Sequence, residues 1–271
     1  MDSTLGNVTL GLYLVSLALY GRLLYSNHRL LGVAATGSLF AALIMHWTAL
    51  YQRALEVQTV PYQDLYGSMS LFGWLLAMTY LGLEAFHKQR SVGPFVLPFV
   101  MVSLLVGMWL EPATPPKGPD AHGPLFALHV TLNILAYAAF AIAFVLSAIY
   151  LLQNRLLRDR KLGTVFWRFP ALEVLERMSR SGVIIGVAAM AVGSAFGMVW
   201  TKRLHNQVLT GDAKEIASAM VLGSYVVYLW LGRTTTWRGA RAAALCIANF
   251  VLVVFSYTIV NLFLSRNHRF F

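Results

Sequence analysis

The sequence predicts an all-α, polytopic integral membrane protein with about eight transmembrane helices and both termini outside. Three observations carry that prediction. The 271 residues are 58% hydrophobic and only 12% charged, with a mean hydropathy of +0.64. A soluble domain is about half apolar and about a quarter charged. The apolar residues gather into eight stretches, each near the length a bilayer demands. The Lys and Arg residues concentrate in alternate connections.

A hydrocarbon core is about 30 Å thick, so a spanning helix needs roughly 20 mostly apolar residues. Eight stretches qualify: 5–25, 31–52, 67–86, 93–110, 125–153, 181–201, 215–232 and 241–264. The first follows MDSTLGNVTL, which lacks the positive n-region of a signal peptide, and no small-residue cleavage site closes the run. It therefore reads as a retained helix. The fourth is interrupted by Pro98. The fifth is long enough to project beyond the bilayer. Ahead of the sixth lies RFPALEVLERMSRS, in which Leu172, Leu175 and Met178 recur at helical spacing and Pro170 suits a first turn. It reads as a separate short amphipathic helix on the inner interface. No internal repeat or low-complexity tract breaks the series, and residues 1–271 read as a single membrane domain.

The formal charge of +10 raises the question of nucleic acid. That partner needs a charged surface, which so apolar a chain does not offer, so the reading is no nucleic acid and a lipid bilayer instead. Of the 21 basic residues, fourteen fall in the 1/2, 3/4, 5/6 and 7/8 connections and seven on the other side. The positive-inside rule then places both termini outside. In a bacterial host the expected location is the cytoplasmic (inner) membrane, crossed many times, with the outer side in the periplasm. The lone Cys246 builds no disulfide framework, CxxC pair or zinc cluster.

This orientation sorts the polar groups able to do chemistry. His28 and His87 fall inside. His122, His129, His205 and His268 fall at or near the outer surface, and His46 lies within the second span near its outer end. An ionisable group at that depth is costly and tends to be functional; a hydrogen bond to a neighbouring helix serves as well. Asn133 and Asn261 sit inside apolar spans, where bonding between helices explains them. Trp47, Trp74, Trp109 and Trp200 fit an interfacial belt. The segment TGDAKE at 210–215 can simply start a helix, with Thr210 or Asp212 as its cap and Glu215 at capping-box spacing from Asp212.

Three stretches together carry a resemblance: LHVTLNILAYAAFAIAFVLSAIYLLQNRLL at 128–157, GMVWTKRLHNQVLTGDAKE and its continuation at 197–243, and FSYTIVNLFLSRNHRFF at 255–271. With VPYQDLYGSMSLFGW at 60–74, the pattern resembles the cytochrome c assembly protein family of the CcsA/ResC type and its shorter HemX-like and YpjD-like relatives. The resemblance implies haem handling at the outer face, with haem b as the cofactor. Histidines ligate the iron there, and a tryptophan-rich loop ending in Trp-Asp-Pro-Lys-Glu lies against the haem. In that register the loop is 201–214. Trp200 matches the tryptophan that opens it, Asp212, Lys214 and Glu215 match the motif's charged residues, and Ala213 stands for its proline. Three further tryptophans are replaced by His205, Leu209 and Gly211. His129 and His268 match the family's iron ligands, and His46 occupies a region where the family carries an early histidine. His205 offers a substitute ligand or a solvated loop residue. Trp230 stands where a further membrane histidine is usual. Lys202, Arg203 and Lys214, with Arg266 and Arg269 beside His268, suit haem propionates.

Two readings follow. In one, His129 and His268 hold haem at the periplasmic face and present it to apocytochrome c or to a second membrane component. The chain then supplies at most one part of an attachment system, since it carries no large outer domain and is no complete synthase alone. In the other, it is a non-catalytic structural or regulatory subunit of HemX-like or YpjD-like kind that has lost haem. On residue position alone, His129 is also explained as an interfacial histidine satisfied by a carbonyl, and His268 as part of a tail.

Overall fold

The structure, a computed structural model, describes residues 3–26, 28–58, 60–62, 65–109, 123–160, 169–206, 208–209 and 211–256. Every long element among them is a helix: α1 (Ser3–Leu23), α2 (Arg29–Val57), α3 (Leu65–His87), α4 (Gly93–Trp109), α5 (Pro124–Arg158), α6 (Leu172–His205), α7 (Ala213–Leu231) and α8 (Ala240–Phe255). A single 3-10 turn at Thr235–Trp237 joins the last two. Five helices, α1, α2, α3, α5 and α6, are long and apolar enough to cross a membrane, and α4 and α8 are shorter apolar helices. The fold is thus the all-helical, polytopic bundle that the sequence predicts.

Successive helices run in opposite directions, so the bundle has two ends. One carries the connections 2/3, 4/5 and 6/7, and is called here the 6/7 end. The opposite end carries 1/2, 3/4, 5/6 and 7/8.

Two details differ from the sequence reading. The described part of the RFPALEVLERMSRS segment, 169–181, forms no separate amphipathic helix. α6 runs unbroken from Leu172 to His205, and Leu175 and Met178 are fully buried in the core. Nothing between them and the apolar run breaks a helix, so the surface turn and the span merge. At 1.5 Å per residue, the 35 residues of α5 and 34 of α6 each extend about 50 Å, well beyond a bilayer core. Pro98 does not interrupt the fourth helix either; it lies inside a continuous α4.

The pairing of α5 with α6 is the most extensive in the molecule, and small residues make it possible. Membrane helices gain nothing from hiding apolar area from lipid, so close backbone approach supplies the packing instead. A Cβ added at Gly182 would lie 3.2 Å from the Ala139 carbonyl, and one at Gly186 would lie 2.4 Å from the Phe140 ring. Gly193 and Gly197 continue this face toward the 6/7 end. On its other sides α5 meets α7 through a Phe140–Tyr225 stack at 3.8 Å, and α8 through Phe144–Phe250 at 4.7 Å.

The first four helices close around their own polar tie at the opposite end. Glu84 is almost fully buried. It accepts from the Tyr20 hydroxyl, from Thr36 Oγ1 at 2.6 Å and from Arg90 Nε at 3.4 Å. Arg90 also donates to Thr36 at 3.0 Å. One carboxylate thereby joins α1, α2, α3 and the 3/4 connection, with its charge paired and its lone pairs used, as burial requires.

Candidate functional site

At the 6/7 end, a cavity of about 460 Å³ opens between α3, α5, α6, α7 and α8. That volume falls within the ordinary range of small-molecule sites. α5 supplies one wall through Phe126, His129, Asn133 and Tyr137, residues three or four apart and therefore on one face. α5 begins with Pro124 as its first residue, where a missing N–H costs nothing.

His129 is fixed by its neighbours. Its Nδ1 lies 2.7 Å from the Gly193 carbonyl on α6. A carbonyl only accepts, so Nδ1 carries the proton and donates, which leaves the ring's lone pair on Nε2. The Asn133 side-chain amide donates to the His129 carbonyl at 2.7 Å. The carbonyl-satisfied histidine expected from the sequence is thus found, whereas Asn133, expected to bond between helices, bonds to the backbone of its own helix.

Trp200, on α6, faces the same space. Its ring centroid is 4.6 Å from that of Phe126, which in turn lies 5.5 Å from Tyr62 and 6.2 Å from His129. These rings form a continuous aromatic wall. Phe126 and Tyr62 were not among the residues singled out from the sequence. The spacing of Phe126 to His129 signals a shared helix face; for Tyr62, ahead of α3, no local pattern points to the cavity.

Lys214 and Glu215 line the cavity from the first turn of α7, and Leu209 lies at its rim. The charged group has a local purpose as well. Asp212 is the N-cap: its Oδ1 accepts from the Lys214 N–H at 2.8 Å. Glu215 reaches back to accept from the Gly211 N–H at 3.1 Å. The cap is therefore Asp212 rather than Thr210. Burial pulls the Lys214 ammonium down to about 8, with neighbouring Asp212 opposing the shift. This residue precedes the predicted span at 215–232.

The remaining candidates separate. His46 is fully buried between α1 and α3, not at the cavity. Its Nδ1 is 3.2 Å from the Tyr13 hydroxyl and its Nε2 is 3.0 Å from Ser70 Oγ. Both ring nitrogens thus serve helix packing. His205 is the last residue of α6. His268, Asn261, His122, Arg266 and Arg269 lie outside the described residues. Among the described residues no three or more His, Cys, Asp or Glu side chains cluster as metal ligands, and His129 is the imidazole that the cavity's described lining contains.

An apolar helical bundle of this kind, with a ligand-sized cavity at one end, defines a polytopic membrane protein. The sequence model for the family "Cytochrome C assembly protein" matches residues 62–268, and the chain belongs to that family. Similar proteins include Protein HemX of Brevibacillus brevis, 24% identical across 93% of each chain. Cytochrome c biogenesis protein CcsA of Gloeobacter violaceus is 24% identical across 98% of this chain and 95% of its own. Protein HemX of Bacillus subtilis is 26% identical across 78% of this chain and 76% of its own.

Proposed function

We propose that the chain works in cytochrome c biogenesis by holding haem in the cavity at the 6/7 end, and that this end faces outside. The observation that supports the reading most is the convergence of His129, Trp200 and Lys214 on one chamber, from three successive helices. The chemistry fits the group. A neutral imidazole with its lone pair on Nε2 is the form that ligates iron. The rings of Phe126 and Trp200 offer an apolar face, and Lys214 offers a cation for a carboxylate. Bound there, haem would be cargo: an iron porphyrin for attachment to a cytochrome. The chain's own part would be to orient it by His129, exclude water with the aromatic wall and hold its acidic edge near Lys214. His268 is proposed as the second ligand on the family register. Haem b, apocytochrome c and a second membrane component as partners, and the bacterial inner membrane as location, belong to the same proposal.

The absorption spectrum of the purified protein in mild detergent tests it. A Soret band and reduced α-band that vanish in a His129→Ala, His268→Ala double variant are expected. Protein that stays colourless after expression with ample haem sinks the reading.

One observation favours a second reading, a regulatory or structural subunit. His205, Leu209 and Gly211 stand where the family's loop carries tryptophans. Under that reading the colourless outcome is expected, while loss of the gene still alters the level of holocytochrome c or of haem.

A further inference from the structure

His129 sits in a notch cut into α6. A Cβ at Gly197 would lie 2.4 Å from His129 Nδ1 and 2.6 Å from Cε1. Real Cβ atoms do not approach that closely, and the crowded atoms belong to a rigid ring rather than to a flexible side-chain end. A Cβ at Gly193, one turn earlier, would lie 2.9 Å from Asn133 Nδ2 and 3.0 Å from Leu132 Cβ. The two glycines therefore strip α6 of side chains where α5 lays the imidazole down. The result is the 2.7 Å contact between Nδ1 and the Gly193 carbonyl.

That contact decides the tautomer. Nδ1 has a second neighbour, Asn133 Nδ2, at 3.3 Å. If Nδ1 held a lone pair, it could accept from this amide, and the proton would sit on Nε2. It would then set its lone pair against a carbonyl oxygen 2.7 Å away, which is repulsive. The Asn133 amide meanwhile has its own acceptor in the His129 carbonyl at 2.7 Å. The shorter contact wins, and the proton stays on Nδ1.

We propose that Gly197 is a positioning residue for the cavity: its missing side chain seats His129 against the Gly193 carbonyl, fixes the Nδ1–H tautomer and makes Nε2 the nitrogen that meets a metal-bearing ligand. The ligand part rests on the haem reading above; the seating does not. A carbonyl behind a ligating histidine both orients the ring and raises its basicity. A glycine that only allowed two helices to pack would have no bearing on which nitrogen is protonated.

The test has three arms. In the first, protein without haem is labelled with 15N-histidine, and His129→Ala identifies the His129 signals. The parent is expected to show protonated Nδ1 and unprotonated Nε2. Gly197→Ala is expected to lose that pattern, whereas Gly223→Ala, which has open space around it, keeps it. The second arm is a thermal double-mutant cycle. Gly197→Ala should lower Tm in the parent and have little effect in a His129→Ala background, where the added methyl fills the space the ring has left. A parent with the proton on Nε2, an unchanged tautomer in Gly197→Ala, or an equal Tm loss in both backgrounds overturns the proposal. The double variant remains informative if Gly197→Ala alone fails to fold. Haemin is then titrated into both proteins, with at least a tenfold weaker affinity expected in Gly197→Ala. A parent that binds no haemin overturns the haem reading and the proposal's ligand part with it, while the first two arms still decide the seating.

Discussion

Phe126 of α5 and Trp200 of α6 pack with ring centroids 4.6 Å apart and planes inclined by 37°. The pair joins the entrance of one long helix to the exit of the next, and it faces the chamber beside His129. The aromatic surface here comes from the helix ends and from Tyr62.

Phe126→Ala is expected to weaken haemin binding more than Phe126→Tyr, which keeps the ring. An aromatic pair contributes about 0.5–1.5 kcal/mol beyond its buried area. Loss of the pair should therefore lower affinity by up to about tenfold through the wall alone. Haemin titration of the two variants checks this, and equal affinities would remove the wall from the site.

The Lys214 ammonium, lowered by burial to about 8 from an ordinary value near 10.5, predicts opposite trends for stability and for binding. Between those two values the unfolded chain binds more protons at this residue than the folded one, so its contribution makes stability rise with pH across that window. An anionic ligand needs the ammonium, which is present below about 8 and lost above it. Haemin affinity should therefore fall between pH 7 and pH 9. Lys214→Arg should flatten the fall, because a guanidinium stays charged. A fall of the same size in the Arg variant would show that another group causes it.

Asp212→Ala removes the α7 cap and should cost about 1 kcal/mol. The expected signs are a lower Tm and faster amide exchange at Lys214, whose N–H now bonds to Asp212. Asp212→Asn should recover most of the loss. A variant that loses haemin binding with no change in Tm or exchange would show that Asp212 acts on the ligand instead.

Glu84→Ala leaves Tyr20, Thr36 and Arg90 without their shared acceptor. Removing one partner of a buried ion pair costs roughly 3–5 kcal/mol. Arg90 is partly exposed, which favours the lower figure. Tm should drop accordingly, while the Soret maximum of the folded fraction stays put, because the cluster lies at the far end of the bundle.

The helices were legible because apolar length is a local property. The fourth was expected at 93–110 and runs 93–109. The sequence reads as two helices over α6 because Glu173, Glu176 and Arg177 look like a surface helix, yet nothing there stops the chain from continuing. Of the site, His129, Trp200, Lys214 and Glu215 came from motif register, and the cavity gathers them. What no local pattern reveals is which helices are neighbours. For His46 the sequence leaves a haem contact and a hydrogen bond to a neighbouring helix equally open, and only the tertiary fold shows Tyr13 and Ser70 at its two nitrogens. Tyr62 and Phe126 were missed for the same reason.

The chamber's walls also mark which part of the chain builds it. Among the described residues, its lining begins at Tyr62 and draws nothing from α1, α2 or α4. The family match begins at the same residue, 62. α1 and α2 nonetheless pack firmly on α3 and α4, through core residues such as Tyr13, Tyr20, Leu39 and Leu43 and through the polar ties at Glu84 and His46. Chimaeras that exchange residues 1–58 should therefore keep the chamber's own lining, and should fold only where the new helices preserve the packing on α3 and α4.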